Sequence, residues 1–259
     1  MLNQRHHFGL SLVGILISLA CVVVLMSIYL SSAQKAITGG TGISAETSLW
    51  GMQDQIQLQT LVQALTIHAM TSGDEFLTPS KLARTDDPFD NTSANFWSAM
   101  LVQQLATPEQ LISPNDKGWV EEASYGVRNA YWDESFSVDL QSTSNVSYAH
   151  LPLFGERLKR RWNPRAGRFP ILGNRGPMDG AEHSNSITLD ADGIWRGWIA
   201  FADGSIDWQE GAATTSKWRR KDGYVDDNLF FMEDDDSSDD AILGLTYEMD
   251  DYGPTFVWD

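Results

Sequence analysis

Carboxylates are the densest group of chemically useful side chains in this sequence. The run "EDDDSSDDA" occupies positions 233–241, and thirteen Asp and Glu residues follow Lys221 without a single Lys or Arg. Oxygen-rich segments of this kind bind Ca²⁺ outside the cell. The candidate ligands in the run are Asp234, Asp236, Asp239 and Asp240. Calcium is therefore the one cofactor that the sequence suggests, and a solvated acidic segment without an ion is the alternative interpretation.

Motifs typical of enzymes are absent from the sequence. Asp190-x-Asp192-Gly193 begins like an EF-hand loop, but Trp195 and Phe201 stand where that loop requires Gly and Glu. The chain has no nucleophile elbow, no His-Glu-x-x-His and no phosphate-binding loop. Its single cysteine, Cys21, lies within an apolar run. We therefore expect no enzymatic activity.

Basic residues are concentrated in one short stretch of a chain whose formal charge is −17. Such a charge makes nucleic acid an improbable partner, because phosphate binding needs a basic surface. The stretch is expected to pair with acidic residues of this chain or a neighbour, and binding of a polyanion or lipid headgroup is the alternative. Its members are Arg157, Lys159, Arg160, Arg161, Arg165, Arg168 and Arg175.

The segment "GWIAFADGSIDW" (197–208) predicts a β-hairpin. Asp203 and Gly204 stand between two alternating apolar stretches, and Gly at such a turn accepts a positive φ. Trp195, Trp198 and Trp208 lie within this alternation and are expected to pack in the core. A glycan-binding platform built from the ten Trp residues is the alternative.

Two helices are predicted before this sheet. The second starts at Ser44 or Thr47, after the breaker "GGTG" (39–42), and runs to about Met70. Its apolar residues recur every three to five positions, which predicts that one stripe of this helix lies across a sheet. The stripe consists of Leu49, Met52, Ile56, Leu61, Val62 and Leu65.

The first helix is predicted to cross a membrane. Leu10 to Leu30 is a run of twenty-one residues without Asp, Glu, Lys, Arg or His. At about 1.5 Å per residue it just spans a hydrocarbon core of about 30 Å. Arg5, His6 and His7 precede it, which predicts a single-pass protein of the inner membrane. Its N-terminus is expected on the cytoplasmic side and its C-terminal domain on the periplasmic or external side.

The start of this run, "HFGLSLVG", resembles the prepilin leader of type IV pilins and type II secretion pseudopilins. The resemblance implies that a prepilin peptidase cuts after Gly9 and that Leu10 becomes the methylated first residue. Gly14 departs from the family, which has Glu at that position to pair with a neighbouring subunit's N-terminus. Ser11, Gly14 and Ser18 share one helix face, where small residues permit close helix packing.

Longer segments resemble a group of pilin-like proteins abundant in Planctomycetes. These segments are "LISPND", "LFGERLKRRWNPRAGRFPILGNRGPMDG" and "WIAFADGSIDW". Asp203 and Gly204 match the Asp-Gly of that group's C-terminal domain, whereas its His has no counterpart at the expected spacing. The resemblance implies a class of protein and no mechanism.

The sequence as a whole predicts an α+β protein with a long N-terminal transmembrane helix, a second amphipathic helix and a small antiparallel sheet with long loops. The expected parts are a leader (1–9), the N-terminal helix (10–38) and an external domain (44–259) that ends in an acidic segment (222–259). The expected function is that of a pilin-like or pseudopilin-like minor subunit, with the membrane and other pilin-like subunits as partners. An envelope-anchored module that binds calcium or glycans without assembling is the alternative.

Overall fold

A computed structural model describes most of the chain after residue 44. The described residues are 45–116, 131–140, 143–177, 189–190, 193–220, 223–234 and 238–257; at 45–50, 213–220 and 224–225 they are described by their backbone. The chain divides into two compact units, Met1–Leu49 and Trp50–Asp259. The predicted leader and N-terminal helix, with Gly9, Leu10, Ser11, Gly14 and Ser18, lie outside the described residues.

Four α-helices are found in the described part of the chain. They are α1 (Ala45–Thr71), α2 (Pro79–Ala83), α3 (Ser93–Val102) and α4 (Gly155–Arg161). Short 3₁₀ turns occupy Pro88–Asp90, Pro108–Leu111 and Pro164–Ala166. Pro begins each of these turns because its fixed φ suits a first helical position, whose N–H has no intrahelical partner.

The central sheet of the described residues has four antiparallel strands in the order β1-β2-β3-β4. These strands are β1 (Tyr148–His150), β2 (Pro170–Asn174), β3 (Arg196–Phe201) and β4 (Ile206–Glu210). Two separate hairpins follow: β5 (Ala213–Arg220) with β6 (Gly223–Asn228), and β7 (Leu245–Asp250) with β8 (Gly253–Val257).

The predicted hairpin is confirmed as β3–β4. Trp198 lies opposite Trp208 in the register, and Gly204 in the turn has a φ of 81°. The Asp203 carboxylate accepts hydrogen bonds from the backbone N–H and the hydroxyl of Ser205, which fixes the turn. Trp195 and Trp198 are buried as expected, whereas Trp208 remains 38 % exposed.

Helix α1 buries one face, although the apolar stripe predicted for it is partly wrong. Leu61, Val62 and Leu65 are fully buried, together with Leu58. Ile56 was expected in the same stripe but is 58 % exposed. At 100° per residue, Ile56 lies on the side of the helix away from Leu58 and Leu65, so its hydrophobicity does not place it in the core.

Polar side chains fix α1 to the sheet. The Asp54 carboxylate is buried and accepts hydrogen bonds from the Tyr148 hydroxyl (2.6 Å) and the Asn174 amide (3.0 Å). The indole N–H of Trp198 donates to the carbonyl of Gly51 (3.0 Å). A buried carboxylate with several donors is satisfied, so these contacts hold the helix in one position on the strands.

The expected fold class needs one correction. The described chain is α+β with a small antiparallel sheet. Among the residues that the structure describes, no helix is both long enough and apolar enough to cross a membrane. The longest, α1, carries Gln and Thr between its apolar residues because only one of its faces enters the core.

A buried strap, residues 240–246, leads into the last hairpin. Ala241, Ile242, Leu243 and Leu245 on the strap are at most 1 % exposed. The backbone of Gly244 exchanges two hydrogen bonds with His150 of β1. The strap thus completes the core beside the open edge of β1.

Candidate metal centre

Three carboxylates from different parts of the fold meet beside the strap. Asp227 lies near the end of β6, Glu233 lies in the turn that follows, and Asp240 is the first residue of the strap. One carboxylate oxygen of each lies within 4.8 Å of the others. We refer to Asp227, Glu233 and Asp240 as the acidic cluster.

The backbone and one arginine hold these carboxylates in place. Asp227 Oδ2 accepts from the N–H of Ala241 (2.9 Å), and Glu233 Oε1 accepts from the N–H of Asn228 (3.3 Å). Asp240 Oδ2 accepts from Arg157 Nη2 (2.5 Å).

Arg157 of α4 is the positive charge within this arrangement. Its Nε donates to the carbonyl of Asp240 (2.7 Å), and its Nη2 also donates to the carbonyl of Asp234 (2.5 Å). The side chains of Arg157 and Asp240 are 3 % and 0 % exposed. A buried arginine that donates to two carbonyls and one carboxylate holds Asp234 and Asp240 close together.

Each carboxylate of the acidic cluster retains one unused oxygen. Asp227 Oδ1, Glu233 Oε2 and Asp240 Oδ1 are buried and have no hydrogen-bond partner among the described residues. Asp227 and Asp240 are themselves 0 % exposed. Buried carboxylate oxygens without a partner carry a large desolvation penalty, which an ion or a proton removes.

Burial also changes the protonation of the cluster. Burial raises the pKa of Asp227 to about 7, together with the Asp240 carboxylate, which repels the charge of Asp227 and accepts a hydrogen bond from its protonated form. Burial and the same neighbour raise the pKa of Glu233 to about 8. A group of carboxylates that resists ionisation is short of positive charge, since Arg157 offsets only one of the three.

The donor set fits a hard divalent cation. Three carboxylates with one arginine leave a formal charge of −2, which such an ion neutralises. Oxygens around a Ca²⁺ ion at about 2.3–2.6 Å lie up to about 5 Å apart, a spacing compatible with the observed limit. His and Cys, the ligands that softer metals prefer, do not take part in this cluster. The acidic cluster can therefore bind a metal ion.

The residues predicted as ligands from the sequence are distributed differently. Asp240 belongs to the acidic cluster. Asp234 contributes its backbone, since its N–H donates to Asp240 Oδ2 (2.8 Å). Asp239 pairs with Arg161 outside the cluster, and Asp236 lies outside the described residues.

Asp227 and Glu233 were not identified as candidates from the sequence. Asp227 carries a usable signal in the sequence, since it alternates with the apolar residues Val225 and Leu229. A carboxylate at an apolar position of a strand indicates a buried partner or ion.

The basic stretch pairs with carboxylates of this chain at every one of its seven positions. The acidic segment supplies two of these partners, as one of the two interpretations of the stretch anticipates. The pairs are Arg157–Asp240, Lys159–Glu156, Arg160–Glu156, Arg161–Asp239, Arg165–Asp74, Arg168–Asp207 and Arg175–Asp116.

Ser93 and His150 have the separation of a nucleophile and its base, but their surroundings are structural. Ser93 Oγ lies 2.7 Å from His150 Nε2, and both residues are 0 % exposed. Ser93 Oγ also accepts from the N–H of Thr246 (2.7 Å). Since no substrate reaches a fully buried hydroxyl, this pair joins α3, β1 and β7.

No protein-family model, curated protein or solved structure matches this chain.

Proposed function

We propose that this chain is a non-enzymatic structural protein whose C-terminal region binds one calcium ion at the acidic cluster. The convergence of three buried, unpartnered carboxylate oxygens carries the proposal. Calcium suits an all-oxygen site of irregular geometry better than Mg²⁺, which needs near-ideal octahedral ligands. The ion would connect β6, the following turn and the strap, and so stabilise the last hairpin.

Isothermal titration of the full chain with calcium tests the proposal. We expect one site per chain and at least about tenfold weaker binding in Asp227→Asn, since one ligand charge is lost. Asp226→Asn is the matched control, because Asp226 is the exposed neighbour and its substitution removes the same charge. Absence of calcium binding, or equal affinity in the two variants, would contradict the proposal.

A second candidate function is that of a pilin-like subunit in a type IV pilus or secretion assembly. The observation in its favour is the architecture, in which the part of α1 that follows Leu49 packs on a four-stranded antiparallel sheet and is fixed to it through Gly51 and Asp54.

Intact mass and N-terminal sequencing of the protein from its native cells test this second function. A chain that starts at Leu10 with one added methyl group would support it. A chain that starts at Met1, or one cut near Ala33, would contradict it.

A further inference from the structure

Helix α1 exposes apolar side chains on the face opposite the core. Ile56, Ile67 and Met70 are 58 %, 63 % and 76 % exposed. With Thr60 and Gln63 they recur at spacings of four and three residues, which places them in one row along the helix. We refer to the row Ile56, Thr60, Gln63, Ile67 and Met70 as the outer face of α1.

The outer face is free of charge in a strongly charged protein. Residues 55–71 contain no Asp, Glu, Lys or Arg, whereas charged residues make up 20 % of the chain. His68 in this segment is half-buried, and burial lowers its pKa, so it is neutral at physiological pH. A solvated helix face normally carries charges, and this row carries none.

An acidic residue lies on each side of the N-terminal part of this row. On one side, Gln57 Nε2 donates to the carbonyl of Glu109 (3.0 Å), and Glu109 is exposed. On the other side, Gln59 Nε2 donates to the carbonyl of Gly204 (3.1 Å), next to the exposed Asp203. Beside Ile56 and Thr60 the row is therefore bordered by Glu109 on one side and by Asp203, Asp207 and Arg168 on the other. Each border carries a net negative charge, and we refer to the two as the negative margins.

The charge pattern selects the kind of partner. A second copy would bring the same negative margins and a net charge of −17 to this face, and like charges disfavour that pairing. We propose that the outer face of α1 binds an amphipathic helix of another protein, whose apolar row is flanked by Lys or Arg. The proposal is independent of the cation site.

The small size of the surface limits the affinity of such a complex. The outer face extends over about 15 residues or about 23 Å of helix, and a helix is about 10 Å wide. The contact is therefore about 230 Å² on each partner, well below the roughly 800 Å² of a stable interface. The complex is weak and reversible when formed through this face alone.

A synthetic helix of about three heptads, with Leu along its row and Lys on both flanks, is the probe. We expect saturable binding to the full chain in fluorescence anisotropy. Ile67→Glu is expected to weaken it at least about tenfold, because a charge enters the apolar row. Attraction by negative charge alone would instead make Ile67→Glu bind more tightly, so the sign of this change separates the two explanations.

Two controls complete the test. Gln103→Glu adds the same charge at the exposed residue that follows α3 and should leave binding unchanged. Asp203→Asn combined with Glu109→Gln should weaken binding and reduce its salt dependence.

Several results would overturn the proposal. They are unchanged or tighter binding by Ile67→Glu, equal binding of a probe with Glu on its flanks, and self-association of the chain that Ile67→Glu abolishes. The calcium affinity of the same variants is expected to equal that of the unaltered chain. Failure of the docking proposal is therefore distinguishable from failure of the cation site.

Discussion

Protonation of His150 should destabilise the folded protein in acid. Its Nδ1 lies 2.7 Å from the carbonyl of Leu151, so Nδ1 carries the hydrogen, and Nε2 accepts the hydroxyl hydrogen of Ser93. The rings of Phe96, Trp97 and Trp162 surround it at centroid distances of 4.6, 6.0 and 6.1 Å. No charged side chain is found among these neighbours to stabilise an imidazolium.

The size of this effect follows from the pKa of His150. Burial lowers that pKa from 6.5 to about 4. Between these values the unfolded chain binds a proton that the folded chain does not, so the free energy of unfolding decreases as the pH falls from 6.5 to 4. At 1.36 kcal/mol per unit, the loss is about 3 kcal/mol. This is a large fraction of the roughly 5–15 kcal/mol that stabilises a typical domain.

Urea denaturation of the natural protein and of His150→Gln, across this pH range, isolates the effect. Gln is neutral and polar, so the variant lacks this one titration while other groups titrate in both proteins. We expect the stability difference between the two to shrink by about 3 kcal/mol from neutral pH to about pH 4. A difference that stays constant over this range would refute the reasoning.

Three further predictions concern the acidic cluster, the Tyr148–Asp54 contact of α1 and Gly176. Calcium should raise the melting temperature more at about pH 8.5 than at about pH 6, since protons on Asp227 and Glu233 must leave before the ion binds. Thermal melts with calcium or with a chelator at the two pH values measure this difference. Tyr148→Phe should lower the free energy of unfolding by about 1–3 kcal/mol in urea denaturation, because buried Asp54 loses its 2.6 Å donor. Gly176→Ala should cost about 1–3 kcal/mol in the same assay, since a Cβ there would overlap the Phe230 ring.

Local signals in the sequence predicted local structure well. The Asp203-Gly204 hairpin was predicted because its turn chemistry and alternation lie within twelve consecutive residues. The period of α1 predicted a helix across a sheet, but the exposed Ile56 shows that apolar spacing does not by itself decide which residues face the core.

The acidic cluster could not be predicted in the same way. Grouping carboxylates by adjacency selected the run around Asp234, whereas folding brings together Asp227, Glu233 and Asp240, which are up to thirteen positions apart. Their convergence depends on the β5–β6 hairpin and on the contact of the strap with α4. These are long-range arrangements that no short pattern specifies.

The strap explains why two unrelated titrating sites affect the same part of the fold. Asp240 at its start is held by Arg157, and the N–H of Thr246 at its end is held by Ser93, which also binds His150. Acid destabilises the contacts at the Thr246 end of the strap, since it protonates His150. In the cation-free protein, rising pH destabilises the Asp240 end. The raised pKa values of Asp227 and Glu233 mean that the free energy of unfolding falls as the pH rises towards about 8.

These two effects oppose each other between about pH 4 and 6.5, and above that range the acidic cluster still titrates whereas His150 does not. A bound divalent cation would remove the loss of stability at high pH, because its charge compensates the buried carboxylates, which otherwise repel one another. The strap is otherwise apolar and at most 1 % exposed from Ala241 to Leu243, so its ends are the places where solution conditions can act on it. Calcium is therefore expected to stabilise the strap and the β7–β8 hairpin most in the alkaline range, where the ionised cluster without a cation destabilises the fold most.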